Sequence, residues 1–339
     1  MKQKYFVFVG MLVLAIFALG SVSAAENVTT DIDIQTEDIA LDDVSVEEAV
    51  DQEEITEEVT TNSPTIYNVN HTSNFTYYMS TANSSNKVIL NFTDDTYDDF
   101  SLTLNSYVEL WGNGVTLNGD GTHDLFTVTN CRNIVITGFV MNISSTTHAA
   151  IYGSNVTGIV VSNNTIENGR DGISLFKYCD DVTIENNNFD NFTRDAISLA
   201  NPQGTANWDN LVGAVINNNN ISNAVYGIFI GGSFKGTISN NNIINGTYGM
   251  EFAGKPAAYQ GNLCVAIVNT TITNYTTGIN MFHPNIICLS FDNVNITVNN
   301  ISTEYAIDIN SYFHVSGSIV VESNCHFNGL ISDDFEDEL

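Results

Sequence analysis

Two carboxylates stand out by type and spacing: Asp171 and Asp195 lie 24 residues apart, each preceded by an arginine (Arg170, Arg194) and followed by a small residue and an isoleucine. A pair of carboxyl groups is the minimal equipment for splitting a glycosidic bond, one protonated as general acid and the other ionised as base or nucleophile. An arginine beside each favours the charged form, so both are expected to stay ionised, which argues against the acid role. Aspartate before Gly-Ile also has an ordinary use as a turn residue, with the arginines neutralising a column of like charge. Asp180 and Asp181 with Lys177 come nearest to the clustered carboxylates and basic proton acceptor of a calcium-dependent elimination, but a turn is the simpler reading. The six histidines, at 71, 123, 148, 283, 314 and 326, show no ligand spacing, so no metal or other cofactor is expected.

The elements that must position these residues follow from a repeat. From Ile136 onward an apolar residue, any residue, asparagine, two polar residues, an apolar residue, any residue and asparagine recur, as in VSNNTIEN at Val161, IENNNFDN at Ile184, INNNNISN at Ile216 and ISNNNIIN at Ile238. Counting looser copies at Ile136, Ile267 and Phe291, the starts are spaced by 25, 23, 32, 22, 29 and 24 residues. A second unit, Gly/Ala-Ile-any-apolar, follows each copy: AIYG at Ala150, GISL at Gly172, AISL at Ala196, GIFI at Gly227, GMEF at Gly249, GINM at Gly278 and AIDI at Ala306. Alternating apolar positions bounded by turn formers predict short strands. One period holds about three of them, one coil of an all-β parallel β-helix whose coils stack roughly 4.8 Å apart. Asn163, Asn186, Asn218, Asn240, Asn269 and Asn293 are expected to form one column, each amide donating to the next to satisfy a buried turn.

The column containing Asp171 and Asp195 continues with Tyr226 and Tyr248, and the two longest spacings insert residues 201–211 and 253–263 beyond it. These insertions carry Trp208, Lys255 and Tyr259 and are expected to wall a cleft on one face of the solenoid. Aromatic rings beside carboxylates and amides suit sugars, although loop aromatics also serve plain packing. The predicted binding set is Asp171, Asp195, Trp208, Tyr226, Tyr248, Lys255 and Tyr259, with no catalytic residue assigned. Cys264 and Cys288 each stand three residues before a repeat start on neighbouring coils, which leaves both a disulfide and two free thiols open. Cys131 and Cys179 fall two coils apart, too far to bridge.

The 339 residues include 9 Lys+Arg against 39 Asp+Glu, a net charge of −30 that argues against binding to nucleic acid or to an anionic lipid surface. Lys2 and Lys4, the apolar run 6–19 and the small residues Ser23, Ala24 and Ala25 read as an export signal over 1–25; an uncleaved anchor is the alternative, about twenty residues being roughly enough to span a bilayer. Residues 26–64 form an acidic stalk expected to be disordered, with a helix across 44–59 as the competing reading. A β-helix domain is expected over 65–330 and an acidic tail over 331–339, giving a secreted or cell-surface protein. Fifteen Asn-any-Ser/Thr sequons could carry glycans in an exported chain, though most within the repeat serve as ladder and turn residues.

With its asparagine-rich coils and the segment LTLNSYVELWGNGVTLNGDG followed by LFTVTNCRNIVITGF within 102–139, the chain resembles right-handed parallel β-helix proteins of the pectin-lyase type. Within that group it is most similar to secreted adhesin-like proteins of methanogenic archaea, over about residues 65–330. The β-helix polygalacturonases carry Asn-Thr-Asp-Gly, then Asp-Asp, Gly-His-Gly and Arg-Ile-Lys. Asp171-Gly172 resembles the first and Asp195 the second aspartate of the pair, but Arg194 replaces the first, Tyr226 falls near the histidine and no Arg-Ile-Lys follows. The resemblance therefore implies a non-catalytic binder of glycans or other ligands on a host or neighbouring cell surface. A polysaccharide lyase or glycoside hydrolase, and a structural envelope protein, are the alternatives; nothing in the sequence indicates an oligomeric state.

Overall fold

A segment with apolar residues at every second position buries one face only, and stacking identical segments makes those faces continuous. The computed structural model describes residues 63–200, 212–253, 262–282, 285–309, 314–322 and 324–332, within one compact unit, Val59–Leu339. The expected parallel β-helix is the fold: strands bond in parallel to their counterparts on the neighbouring coils, in a sheet of eleven strands and a second of sixteen. The only named helix among the described residues is Phe75–Met79, which buries Met79 and packs Phe75 against Phe92 and Phe100 at the first coils. None of the helices described is long and apolar enough to cross a membrane.

Three strands per coil hold in the earlier coils, as in Thr157–Ser162, Thr165–Gly169 and Asp171–Phe176. From Asn188 the second and third fuse into long strands, Asn188–Ala200, Asn220–Gly231, Asn242–Ala253 and Thr271–Phe282, the first of which shifts register between Phe192 and Asp195. The interior is built of columns. Val161, Ile184, Ile216, Ile238, Ile267 and Phe291 are successive partners and all fully buried, so the register read from the repeat is the register of the fold.

The asparagine column requires a correction. Asn163, Asn186, Asn218, Asn240, Asn269 and Asn293 are exposed and left-handed, with φ between 47° and 57°. They turn the chain at one corner of every coil, a conformation that asparagine tolerates better than most residues. Some link along the surface, Asn218 Nδ2 donating to Asn186 Oδ1 and Asn293 Nδ2 to Asn269 Oδ1. The buried ladder is one residue further on. Asn164, Asn187, Asn219 and Asn241 are each 2% exposed. Asn187 Nδ2 donates to the Val161 carbonyl at 2.9 Å and to Asn219 Oδ1 at 3.1 Å, while Asn187 Oδ1 accepts from the backbone N–H of Asn164 at 3.0 Å. Because the left-handed residue turns its side chain outward, its successor points in, where unpaired main-chain groups need partners.

Cys264 and Cys288, paired neighbours with Cα atoms 4.4 Å apart, form a disulfide, which decides between the two states left open by the sequence. Cys131 and Cys179 are buried free thiols with Val156 on the coil between them.

Candidate functional site

The second repeat unit builds a polar face on the sixteen-stranded sheet. Its glycines lie against the next coil: a Cβ on Gly249 would come within 2.6 Å of the Gly278 carbonyl oxygen and 2.3 Å of Ile272 Cγ2, so the missing side chain lets the coils approach closely there. The isoleucine after the glycine points inward and the residue after that points outward. The outward column runs Tyr152, Ser174, Ser198, Phe229, Glu251, Asn280 and Asp308. Beside it, two residues before the isoleucine, lies the column of Asp171, Asp195, Tyr226 and Tyr248, so these four predicted residues are brought together. Trp208, Lys255 and Tyr259 lie outside the described residues.

Asp171 is completely buried and held by two arginines. Arg194 donates from Nε to its Oδ1 at 2.9 Å and from Nη2 to its Oδ2 at 2.7 Å, and Arg170 reaches Oδ2 from Nε at 3.0 Å. Arg194 Nε also lies 3.1 Å from Asp195 Oδ2. For Asp195 burial outweighs the neighbouring arginine in setting the direction of the shift. Burial pushes its pKa up to about 6, with the Asp171 charge adding to the rise, against the opposing effect of Arg194 and a hydrogen bond from Ser198. Arg194 is shared and directs its bidentate grip to Asp171, so it does not fully offset the cost of burying the Asp195 charge.

Tyr226 and Tyr248 stack on successive coils with centroids 5.0 Å apart and planes within 10°. Rings stacked along the coil axis present edges and hydroxyls, rather than open faces, to an approaching molecule. Phe229 meets Tyr226 edge-on at 5.8 Å. The Tyr226 hydroxyl is made less acidic by burial, then by the negative charge of Glu251, the neighbouring Tyr248 and Asp195. It thus lies between two carboxyl groups. Burial also raises the pKa of Glu251, against a 2.8 Å hydrogen bond donated by Asn280 Nδ2 to its Oε2, and burial raises that of Asp308.

Glu251, Asn280, Asp308 and Ser198 were not among the sequence-predicted site residues. Their signal was the unspecified third position of Gly/Ala-Ile-any-apolar, which strand alternation turns outward. The site is thus a strip of hydroxyl, amide and carboxyl groups with a protonatable acid at one end and an aromatic pair in the middle. Among the described residues no group of three or more His, Cys, Asp or Glu could hold a metal ion.

The family model described as "Right handed beta helix region" matches residues 58–262. Comparison with curated proteins gives no match. Solved structures similar to this chain include a polygalacturonase from Erwinia carotovora ssp. carotovora, at 14% identity and a TM-score of 0.46, covering 84% of this chain and 100% of that one. The mannuronan C-5 epimerase AlgE4 A-module of Azotobacter vinelandii is 12% identical with a TM-score of 0.36 over 76% of this chain and 94% of its own. The Streptococcus pneumoniae surface protein and adhesin PfbA is 11% identical with a TM-score of 0.30 over 70% and 87%.

Proposed function

The chain belongs to the right-handed β-helix family, and from that premise we propose that it is an adhesin-like protein of the cell exterior that binds neutral, hydroxyl-rich glycans on the strip around Tyr226. In this reading residues 1–25 direct export, 26–64 are an acidic stalk, 65–330 form the binding solenoid and 331–339 are an acidic tail. The observation that carries the reading is the alignment of Tyr226 and Tyr248 with Ser198, Glu251 and Asn280 on adjacent columns. Hydroxyl, carboxyl and amide groups repeated from coil to coil can exchange hydrogen bonds with the hydroxyls of successive sugar units. Trp208 and Tyr259, in the two inserted segments, are expected from the sequence alone to add apolar contact to the same glycan.

A second reading is favoured by one specific observation. Asp195, with a pKa raised to about 6, takes up a proton in mildly acidic solution and stands beside the arginine-bound Asp171 of the neighbouring coil, a pairing of carboxyls that a glycoside hydrolase could use. A glycan array probed with the full chain, followed by reducing-end analysis of each bound polysaccharide, separates the two. Binding without new reducing ends supports the adhesin; new reducing ends support the hydrolase.

A further inference from the structure

The eleven-stranded sheet, away from the strip around Tyr226, carries a second concavity. Asn133, Gly158 and Asp181 occupy equivalent positions just past a corner of the coil, each the second residue of its strand, on three successive coils, all left-handed, with φ of 55°, 68° and 53°. Asparagine or aspartate suits such a corner, and only the middle coil lacks a side chain. A Cβ placed on Gly158 would lie 3.0 Å from Asn133 Oδ1 and 3.6 Å from Asp181 Oδ2, so the glycine leaves a notch one side chain deep between two oxygen acceptors. The notch opens on a groove of about 200 Å³ floored by the outward residues Val135, Val160 and Thr183, with Lys87 at its far end.

Charge and size narrow the guest. The ammonium of Lys87 is engaged by Glu109 at 2.5 Å, so the notch itself carries the negative charge of Asp181. Sites for drug-sized ligands run to roughly 300–1,000 Å³, so this groove admits about one sugar ring. Two side-chain oxygens are too few for a calcium ion, which takes about 6–8, whereas an ammonium can donate to both and leave its third hydrogen for water. The valines suit the C–H face of a ring, and the Thr183 hydroxyl can pair with a ring hydroxyl. We propose that this groove binds a hydroxylated primary amine of single-ring size, an amino sugar, with its ammonium seated in the Gly158 notch between Asn133 and Asp181.

The test is calorimetric titration of the full chain with glucosamine, glucose and N-acetylglucosamine. Glucosamine should bind at least tenfold more tightly than either uncharged sugar. Gly158→Asn fills the notch with the residue found at the same corner one coil earlier, and should abolish glucosamine binding without lowering the melting temperature by more than a few degrees. Asp181→Asn keeps the corner and removes the charge, and should weaken binding at least tenfold even if the first variant folds poorly. Tyr226→Ala, on the other sheet, should leave glucosamine affinity unchanged, which separates this site from the proposed glycan strip. No glucosamine binding by the parent chain, equal affinity for glucose, full binding by Asp181→Asn, or loss of binding in Tyr226→Ala would each overturn the proposal.

Discussion

Arg194 donates two hydrogen bonds to the Asp171 carboxylate of the preceding coil, at 2.9 Å from Nε and 2.7 Å from Nη2, and so joins adjacent coils at the edge of the candidate site. The carboxylate is fully buried while the arginine side chain is 45% exposed. The two ends of the bond therefore differ in what is lost when one is removed.

Arg194→Met leaves a buried carboxylate with Arg170 and the Asp195 N–H as its remaining partners, and should destabilise the fold by about 3 kcal/mol, the lower end of the effect of breaking a buried pair. Asp171→Asn leaves arginines that can turn to water and should cost less. Urea denaturation of the two variants checks the order; equal and small losses would mean that the pair does not hold the coils together.

The pKa of Asp195 is raised from 3.8 to about 6, so between those values the folded chain holds a proton that the unfolded chain has released. The stabilising contribution of the protonated group is complete below about pH 4 and is lost as pH rises through about 6, by an amount on the order of 3 kcal/mol. Glu251 and Asp308 are shifted in the same direction and add to the slope. Melting temperatures across this range should fall more steeply in the parent chain than in Asp195→Asn; identical slopes would contradict the shift.

Asn187 should matter far more than its neighbour Asn186. Replacing Asn187 by leucine leaves the Val161 carbonyl and the Asn164 N–H without their partner in the interior, a loss of about 2–6 kcal/mol at roughly 1–3 per unsatisfied group. Asn186→Gly keeps the left-handed corner and should change stability by about 0.5 kcal/mol or less. Denaturation midpoints of the two variants make the comparison.

That pair of asparagines marks how far the sequence is legible. The repeat predicts the fold and its register because Ile184, Ile216 and Ile238 recur at a fixed offset and burial enforces that offset in three dimensions. It misplaces the ladder by one residue because Asn186 and Asn187 are chemically identical, and only the backbone decides which faces in. Asp195 is a different case. Its neighbouring arginine is plain in the sequence, but that Arg194 turns its bidentate grip to Asp171 is a choice of geometry. Glu251 and Asn280 could have been found by applying strand alternation to the second repeat unit. Trp208, Lys255 and Tyr259 remain expectations of sequence alone.

The most direct test of glycan binding without catalysis takes one polysaccharide retained on the array and measures its affinity and its reducing ends for the parent chain, Tyr226→Phe, Glu251→Gln and Asp195→Asn. Loss of the Tyr226 hydroxyl or the Glu251 charge should weaken binding about five- to tenfold, in line with about 1 kcal/mol or more per hydrogen bond, while no variant and no parent sample releases reducing ends. Reducing ends released by the parent chain and abolished in Asp195→Asn, or affinity unchanged in both Tyr226→Phe and Glu251→Gln, would contradict the account.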